Sequence, residues 1–463
     1  MKVLLIRYHD GDDVNTRLPE SLNKVRGVTP PLGLAYIASY LEANGHSADI
    51  IDAIADNLTR ADLEKKIREF APDIVGVTSM TSNLPGALEA AKTAKTCGVK
   101  VVIGGSHMSA YPAETMTFDY IDYGIAGDGE VPMLELVNAL EKGLDISSVK
   151  GLIYRDNGKI IQNDVYVHMN LDTLPVPAYH KLPMEKYGTL ITENPIGTLI
   201  STRGCPYKCG YCFSQATDKY HRRRNPNLVV DEMEMLIKRY RVKELMFYDD
   251  SICINKNHMR GICTEIINRQ LKLKWESPCR IDNVDYDLLK IMKKSGCSKL
   301  RFGVESGNPE ILKLMNKRIT LEQVEKVFQW CREIGIITFA YFIIGYVNET
   351  DQTITDTIEF SKKIDADFAM FTIATPYPFT NLYDLAIEKG IVKGDYWRDF
   401  TLGKTEKRIP YCIENGNYWI QKAYKEFYFR PKYALKKIFS IRSFSEVKNM
   451  ISAFKAILLF KMS

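Results

Sequence analysis

What most constrains the fold of this 463-residue chain is a rhythm that occurs twice along it. Short apolar runs of strand length alternate with longer runs of helical period. Such alternation favours parallel sheets with helices over their faces, because a parallel crossover needs a connection long enough to hold a helix. The first series has strands at Val3–Ile6, Ala48–Ile51, Ile74–Val77, Val101–Ile103 and Tyr120–Ile125. Helical runs at Leu32–Asn44, Arg60–Phe70, Gly86–Cys97 and Val131–Leu140 lie among them, the first stopped by Gly45. The second series begins near Gly197, with strands at Thr198–Thr202, Glu244–Tyr248, Lys274–Cys279, Lys299–Val304, Thr338–Gly345 and Ala369–Ala374. Helical periodicity fills each gap between them. Six such units, joined with the usual right hand, close into a partial barrel whose sites lie at the C-terminal ends of the strands.

Cys205, Cys209 and Cys212 follow the first strand of that second series, in the run Thr202-Arg-Gly-Cys-Pro-Tyr-Lys-Cys-Gly-Tyr-Cys-Phe213. Three thiolates closing on one point can hold three corners of a cubane iron–sulfur cluster. No cysteine stands close by for the fourth corner, so one iron is open to another ligand. A structural zinc site would pair two short Cys or Cys/His couples, and no second couple follows within 40 residues. Cys97, Cys253, Cys263, Cys279, Cys297, Cys331 and Cys412 are scattered on strand and helix patterns, and most of them read as small buried residues.

A thiolate cluster calls for a reducing compartment. The start of the chain, Met1–Arg7, reads as a strand and not a signal peptide, and no uncharged apolar stretch is long enough to span a membrane. The expectation is a cytoplasmic protein. The net charge of +5 is uneven: residues 421–463 carry ten Lys/Arg and two Asp/Glu, so the rest of the chain is slightly acidic. The basic character belongs to the tail, so whole-protein nucleic-acid binding is not implied and no nucleic-acid partner is expected.

Other polar groups cluster at strand ends. Phe247-Tyr-Asp-Asp-Ser251 ends the second strand of the later series; successive residues face opposite sides, so one of Asp249 and Asp250 faces the barrel mouth. Arg301-Phe-Gly-Val-Glu-Ser-Gly307 ends the fourth strand and Phe342-Ile-Ile-Gly-Tyr-Val-Asn-Glu-Thr350 the fifth. Arg222, Arg223 and Arg224 either meet carboxylates of a ligand or form a solvated charge run. In the first series, Val77-Thr-Ser-Met-Thr-Ser-Asn83, Gly104-Gly-Ser-His107 and Gly127-Asp-Gly-Glu130 follow the third, fourth and fifth strands. Glycines there let backbone approach a large flat ligand at the sheet edge.

Residues 197–395 resemble the core of a radical S-adenosylmethionine (SAM) enzyme. Residues 1–145 resemble the cobalamin-binding domain that precedes it in one large subgroup, so the likeness covers about three quarters of the chain. The resemblance implies a Rossmann-like doubly wound sheet of the cobalamin-binding type over residues 1–145. A hairpin and interdomain linker at 146–196, a TIM-like partial (β/α)6 barrel at 197–395 and a C-terminal extension at 396–463 would complete the chain. Cys205, Cys209 and Cys212 match the ligands of a 4Fe–4S cluster whose open iron chelates SAM. One electron from the cluster then cleaves the sulfonium to a 5′-deoxyadenosyl radical. Tyr211, Asp250, Glu305, Ser306 and Gly345 are the implied SAM contacts. Thr78, Ser79, Gly104, Gly105, Gly127, Gly129 and Glu130 are the implied cobalamin contacts.

Tyr346, Val347 and Asn348 depart from the family's usual Gly-Leu-Pro-Gly-Glu-Thr, leaving Gly345, Glu349 and Thr350 in register, and Phe379 stands where glycine is common. The Asp-x-His-x-x-Gly signature of a histidine cobalt ligand is absent, so His107 reads as a loop residue near the corrin. The implied chemistry is cobalamin-dependent methylation of an unactivated carbon of a small or lipophilic metabolite. The alternatives are methyl-free radical cyclisation or rearrangement, or a non-catalytic cobalamin and iron–sulfur binding protein. The implied partner is a reducing electron donor of flavodoxin or ferredoxin type.

The tail from Tyr424 to Lys461 interleaves aromatic and aliphatic residues with lysines at helical spacing. Such a face either lies on an anionic membrane, at the inner face, with a lipid-like substrate to match, or packs against the barrel with its lysines solvated.

Overall fold

The computed structural model describes residues 1–8, 27–189, 192–214, 218, 220–405 and 411–440, with side chains to residue 435. Its first sheet takes strands β1 (Lys2–Arg7), β2 (Ser47–Asp52), β3 (Ile74–Thr78), β4 (Lys100–Gly104), β5 (Tyr123–Ile125), β6 (Leu152–Asp156) and β7 (Lys159–Gln162). The order is β2-β1-β3-β4-β5-β6-β7, the first five parallel and the last two antiparallel. The hairpin therefore extends the first sheet past residue 145. Strand β5 begins at Tyr123, later than the apolar pattern suggests. Asp122 is occupied just before it, 2.7 Å from Lys95 and accepting the Val101 N–H at 2.8 Å.

Alternate residues of these strands feed two different cores, as expected of a sheet covered on both faces. Val3, Leu5, Ile74 and Val102 join one apolar cluster; Leu4, Ile6, Val75, Val77, Val101 and Ile103 join the other. The first cluster continues through the helix Leu32–Ala43 into the second half of the chain.

The second sheet runs β8 (Ile196–Leu199), β11 (Glu244–Phe247), β12 (Lys274–Cys279), β13 (Cys297–Glu305), β14 (Ile337–Ile344) and β15 (Phe368–Ile373). These pair in chain order, all parallel, with helices between successive members, forming an open six-stranded barrel. The strand expected at Thr198–Thr202 is broken in two. Ser201 and Thr202 turn their N–H groups onto the Asp249 carboxylate instead of a neighbouring strand. The chain then forms a short antiparallel ladder of β9 (Thr202–Arg203) with β10 (Arg222–Arg223). The cysteine loop hangs between these two strands.

Buried tyrosines of the segment between the sheets stitch them together. Tyr187 donates to Asp52 of β2 at 2.7 Å, and the Tyr179 hydroxyl lies 2.6 Å from the Thr198 carbonyl and 2.7 Å from Glu232. A further apolar cluster joins Leu84, Ala110 and Tyr111 of the first half to Leu382, Trp397 and Phe400 of the last.

The helix Gly416–Tyr428 lies along β15, and a further helix, Pro431–Ser440, follows it. Tyr428 donates to the Ala369 carbonyl and Tyr433 to the Asp367 carbonyl, both at 2.8 Å, while Phe371 donates its N–H to the Tyr424 hydroxyl at 3.3 Å. Between residues 416 and 433 the apolar face is thus used against the barrel; the tail beyond residue 440 lies outside the described residues. No described helix is long and apolar enough to cross a membrane.

Candidate functional site

The cysteine loop is fixed by its neighbours before any side chain is considered. Gly210 donates its N–H to Met315 and accepts from Leu382, each at 2.8 Å, and Cys205 donates its N–H to Asp218 at 3.1 Å. A Cβ on Gly210 would sit 2.6 Å from the Tyr346 hydroxyl, so only glycine fits between these contacts. Cys209 is buried, whereas Cys205 and Cys212 are half-buried. Burial pushes the Cys205 thiol up, and Asp250 and the other two cysteines push it further. Three sulfurs held as thiolates here need a cationic partner. Among the described residues no three His, Cys, Asp or Glu side chains converge as a single metal ion requires. A cubane asks for less convergence, since each sulfur binds its own iron. The donor set fits such a cluster.

Around the loop, Tyr211 donates to Glu305 at 2.8 Å, and Lys317 donates to the same carboxylate at 2.7 Å and to the Tyr211 hydroxyl at 3.1 Å. Glu305 sits at φ +70° beside a bulge in β13, a backbone turn that aims its carboxylate at the loop. The two adjacent aspartates divide as their alternation predicts. Asp249 is buried and takes the Ser201 and Thr202 donors; burial lifts its pKa to about 6. Asp250 accepts from the Gly204 N–H at 3.2 Å and faces the barrel mouth.

Ser306 is turned into the barrel wall, 3.1 Å from the Thr357 hydroxyl and accepting the Asn308 N–H at 3.1 Å. Gly345 sits at φ +86°, and its N–H and that of Tyr346 go to Glu349. The other Glu349 oxygen is buried without a hydrogen-bond partner, and burial raises that carboxyl to about 7.

The first sheet presents its C-terminal edge to this mouth across a cavity of about 310 Å³. Thr78, Gly104, Gly105, Gly127, Gly129 and Glu130 line one side, with Leu5, Ile37 and Met133 as an apolar floor; Thr202, Arg203, Tyr248 and Asp250 line the other. Ser79 is not among them: its hydroxyl bonds the Gly104 carbonyl at 2.8 Å, and it is fully buried. Gly33, in the first turn of the helix Leu32–Ala43, also lines the cavity, and a Cβ there would meet nothing within 4 Å. It would project into the space a flat ligand needs. An apolar floor with a glycine rim suits a corrin.

Arg203 spans the two halves of the site. It donates to Asp128 at 2.9 Å and Glu130 at 2.6 Å, and its guanidinium carbon lies 4.9 Å from the Tyr36 ring. Glu130 thus gives one oxygen to an ion pair, while the other is buried without a hydrogen-bond partner.

Two sequence readings need correction, the arginine run and His107. Arg222 is neither a ligand contact nor solvated, but buried against Asp128 and Asp218. Arg224 is likewise buried, 2.6 Å from Glu232; only Arg223 is exposed. His107 lies in the short helix Ser106–Ala110, fully buried between the Thr81 and Thr401 hydroxyls at 3.2 and 3.3 Å, and does not line the cavity. Of the other cysteines, Cys253, Cys263, Cys279, Cys297 and Cys331 are buried, but Cys97 and Cys412 are half-buried.

Sequence reasoning passed over Gly33, Arg203 and Lys317. Gly33 could have been found as a glycine in the first turn of a helix that starts straight after Pro30-Pro31. Arg203, two residues before the first cysteine, carried no signal of its own, because its partners lie more than 70 positions away.

A cysteine loop at the mouth of an open barrel, facing the glycine edge of a doubly wound sheet across a shared cavity, defines a radical SAM enzyme with a cobalamin-binding domain. Family models agree: residues 21–137 match the B12 binding domain and residues 199–361 the radical SAM superfamily. The chain is 37% identical over 431 residues, 92% of its own length and 93% of the relative's, to a Pyrococcus horikoshii protein named uncharacterized methyltransferase PH0819. It is 31% identical, over 83% of its length and 69% of the relative's, to the anaerobic magnesium-protoporphyrin IX monomethyl ester cyclase of Rubrivivax gelatinosus. Among solved structures, the radical SAM methyltransferase TsrM from Kitasatospora setae, with cobalamin and a [4Fe-4S] cluster bound, superposes with a TM-score of 0.68. That match is 20% identical and covers 85% of this chain and 76% of the other. The chain belongs to the cobalamin-dependent radical SAM family, and the expected fold class and cofactor set are those of that family.

Proposed function

We propose that this protein methylates an unactivated carbon of a small or lipophilic metabolite. The observation that carries the reading is the shared cavity, because Asp250 of the barrel mouth and the glycine edge of the first sheet line one space. When bound, the cluster, SAM and the corrin would supply the electron, the hydrogen-abstracting radical and the methyl group. The chain's own residues bind, orient and exclude water. Cys205, Cys209 and Cys212 would hold the cluster, and Tyr211, Asp250, Glu305 and Gly345 would surround SAM. Ser306, held in the wall, would act only through its backbone. Thr78, Gly33 and the glycine rim would seat the corrin, with Glu130 facing its periphery and Ser79 supporting the loop from behind.

The methyltransferase name of the Pyrococcus relative supports this choice. The cyclase relative supports a second one, radical ring closure by the same cofactors. In either case the electron would come from a low-potential flavodoxin- or ferredoxin-type carrier, in the cytoplasm. The units we assign are 1–145, 146–196, 197–395 and 396–463, with the hairpin of the second added to the first sheet.

Anaerobic reconstitution with SAM, reductant and hydroxocobalamin tests the reading. Methylation predicts S-adenosylhomocysteine together with 5′-deoxyadenosine, cyclisation predicts 5′-deoxyadenosine alone, and failure to cleave SAM overturns both.

A further inference from the structure

Arg280 follows the last residue of β12 and is held on several sides beside the cysteine loop. Its Nε and one Nη fork onto the Asp282 carboxylate at 2.9 and 3.0 Å, and that same Nη donates to the Lys317 carbonyl at 2.7 Å. The Tyr207 ring lies 3.7 Å from the guanidinium carbon, and Tyr207 is itself fixed by its bond to Asn283. The remaining Nη donates to Cys209 Sγ at 3.3 Å. The side chain is 8% exposed. Such a clamp fixes both the charge and the direction of a single N–H, and the atom it points to is a sulfur assigned to the cluster.

We infer that Arg280 is a positioning residue that sets the reduction potential of the cluster through Cys209. The inference rests on the cluster reading above and goes beyond it by naming the group that tunes it. When the cluster takes one electron from a low-potential donor, its charge becomes more negative by one and no proton follows. A fixed positive charge and an N–H on a ligand sulfur stabilise the reduced form more than the oxidised one. Removing them makes the electron harder to deliver. Asp282 offsets part of that charge, and its side chain is 22% exposed, so it can be neutralised without opening the core. Arg280 and Asp282 therefore pull the potential in opposite directions. A purely structural role for the pair gives no such opposition.

The test is a redox titration followed by electron paramagnetic resonance on the full-length chain, reconstituted anaerobically with iron and sulfide and without SAM. Arg280→Gln is expected to lower the midpoint potential, Asp282→Asn to raise it, and Arg280→Lys to fall between wild type and Arg280→Gln. Unchanged potentials in Arg280→Gln and Asp282→Asn at full iron and sulfide content overturn the inference, as do shifts in the same direction. Where Arg280→Gln fails to retain a cluster, Asp282→Asn decides alone: a rise supports the inference and any other result overturns it. A wild-type chain that takes up no 4Fe–4S cluster overturns the functional reading itself, and this inference with it, a failure distinguishable from unchanged potentials in loaded variants.

Discussion

A methyl group at Gly210 would lie 2.6 Å from the Tyr346 hydroxyl while both backbone groups of the residue stay engaged, so neither side can yield easily. Gly210→Ala is expected to cost about 1–3 kcal/mol by urea unfolding of the apo chain, the ordinary penalty of overpacking. Gly33 is the opposite case. Its neighbourhood is empty, so Gly33→Leu should leave the apo melting temperature unchanged and abolish retention of corrinoid colour on gel filtration. A similar loss of apo stability would show that the space is not a ligand seat. Cys209→Ala should remove the brown chromophore, read as loss of visible absorbance and of iron. At this scale the sequence was informative about the cysteines, whose spacing is local. It was silent on Arg280 and Lys317, which act through folded contacts with residues 71 and 106 positions away.

Among elements, the short helix Ser106–Ala110 carries a histidine that burial holds down to about 3. The unfolded chain binds that proton near pH 6.5, so between these values the unfolded state holds more protons than the native one. His107 therefore contributes stability that is present above pH 6.5 and lost on acidification, about 2 kcal/mol by pH 5. In His107→Asn the difference in unfolding free energy between pH 7 and pH 5 should shrink by that amount; an unchanged difference would mean the imidazole is protonated in place. The same helix illustrates what a pattern can and cannot convey. Gly104-Gly-Ser-His107 marked a strand end correctly, but that the ring faces Thr401 depends on a packing 294 residues along the chain. Strands β1, β3 and β4 were legible because both their faces are apolar. The break after β8 was not, since it is caused by Asp249 competing for backbone donors.

Across the whole molecule, the cobalamin-binding sheet and the barrel are joined by buried charge as well as by apolar packing. Arg203→Leu would strand Glu130, with its carboxylate already short of one partner, and leave Asp128 with Arg222 as its cationic partner beside the His168 N–H. Breaking one member of a buried ion pair costs about 3–5 kcal/mol. Calorimetry is expected to show a single transition splitting into two as the halves uncouple; a uniform downward shift would mean that Arg203 serves only its own loop. The two series of strands and helices were readable as architecture, but their mutual orientation was not, because the residues that set it are charged and ordinary in sequence. The apolar cluster that seats Leu84, Ala110 and Tyr111 needs Leu382, Trp397 and Phe400 to be complete. During synthesis on the ribosome, the opening third of the polypeptide therefore emerges with one flank bare and must wait for roughly two hundred and fifty further residues before that flank is covered.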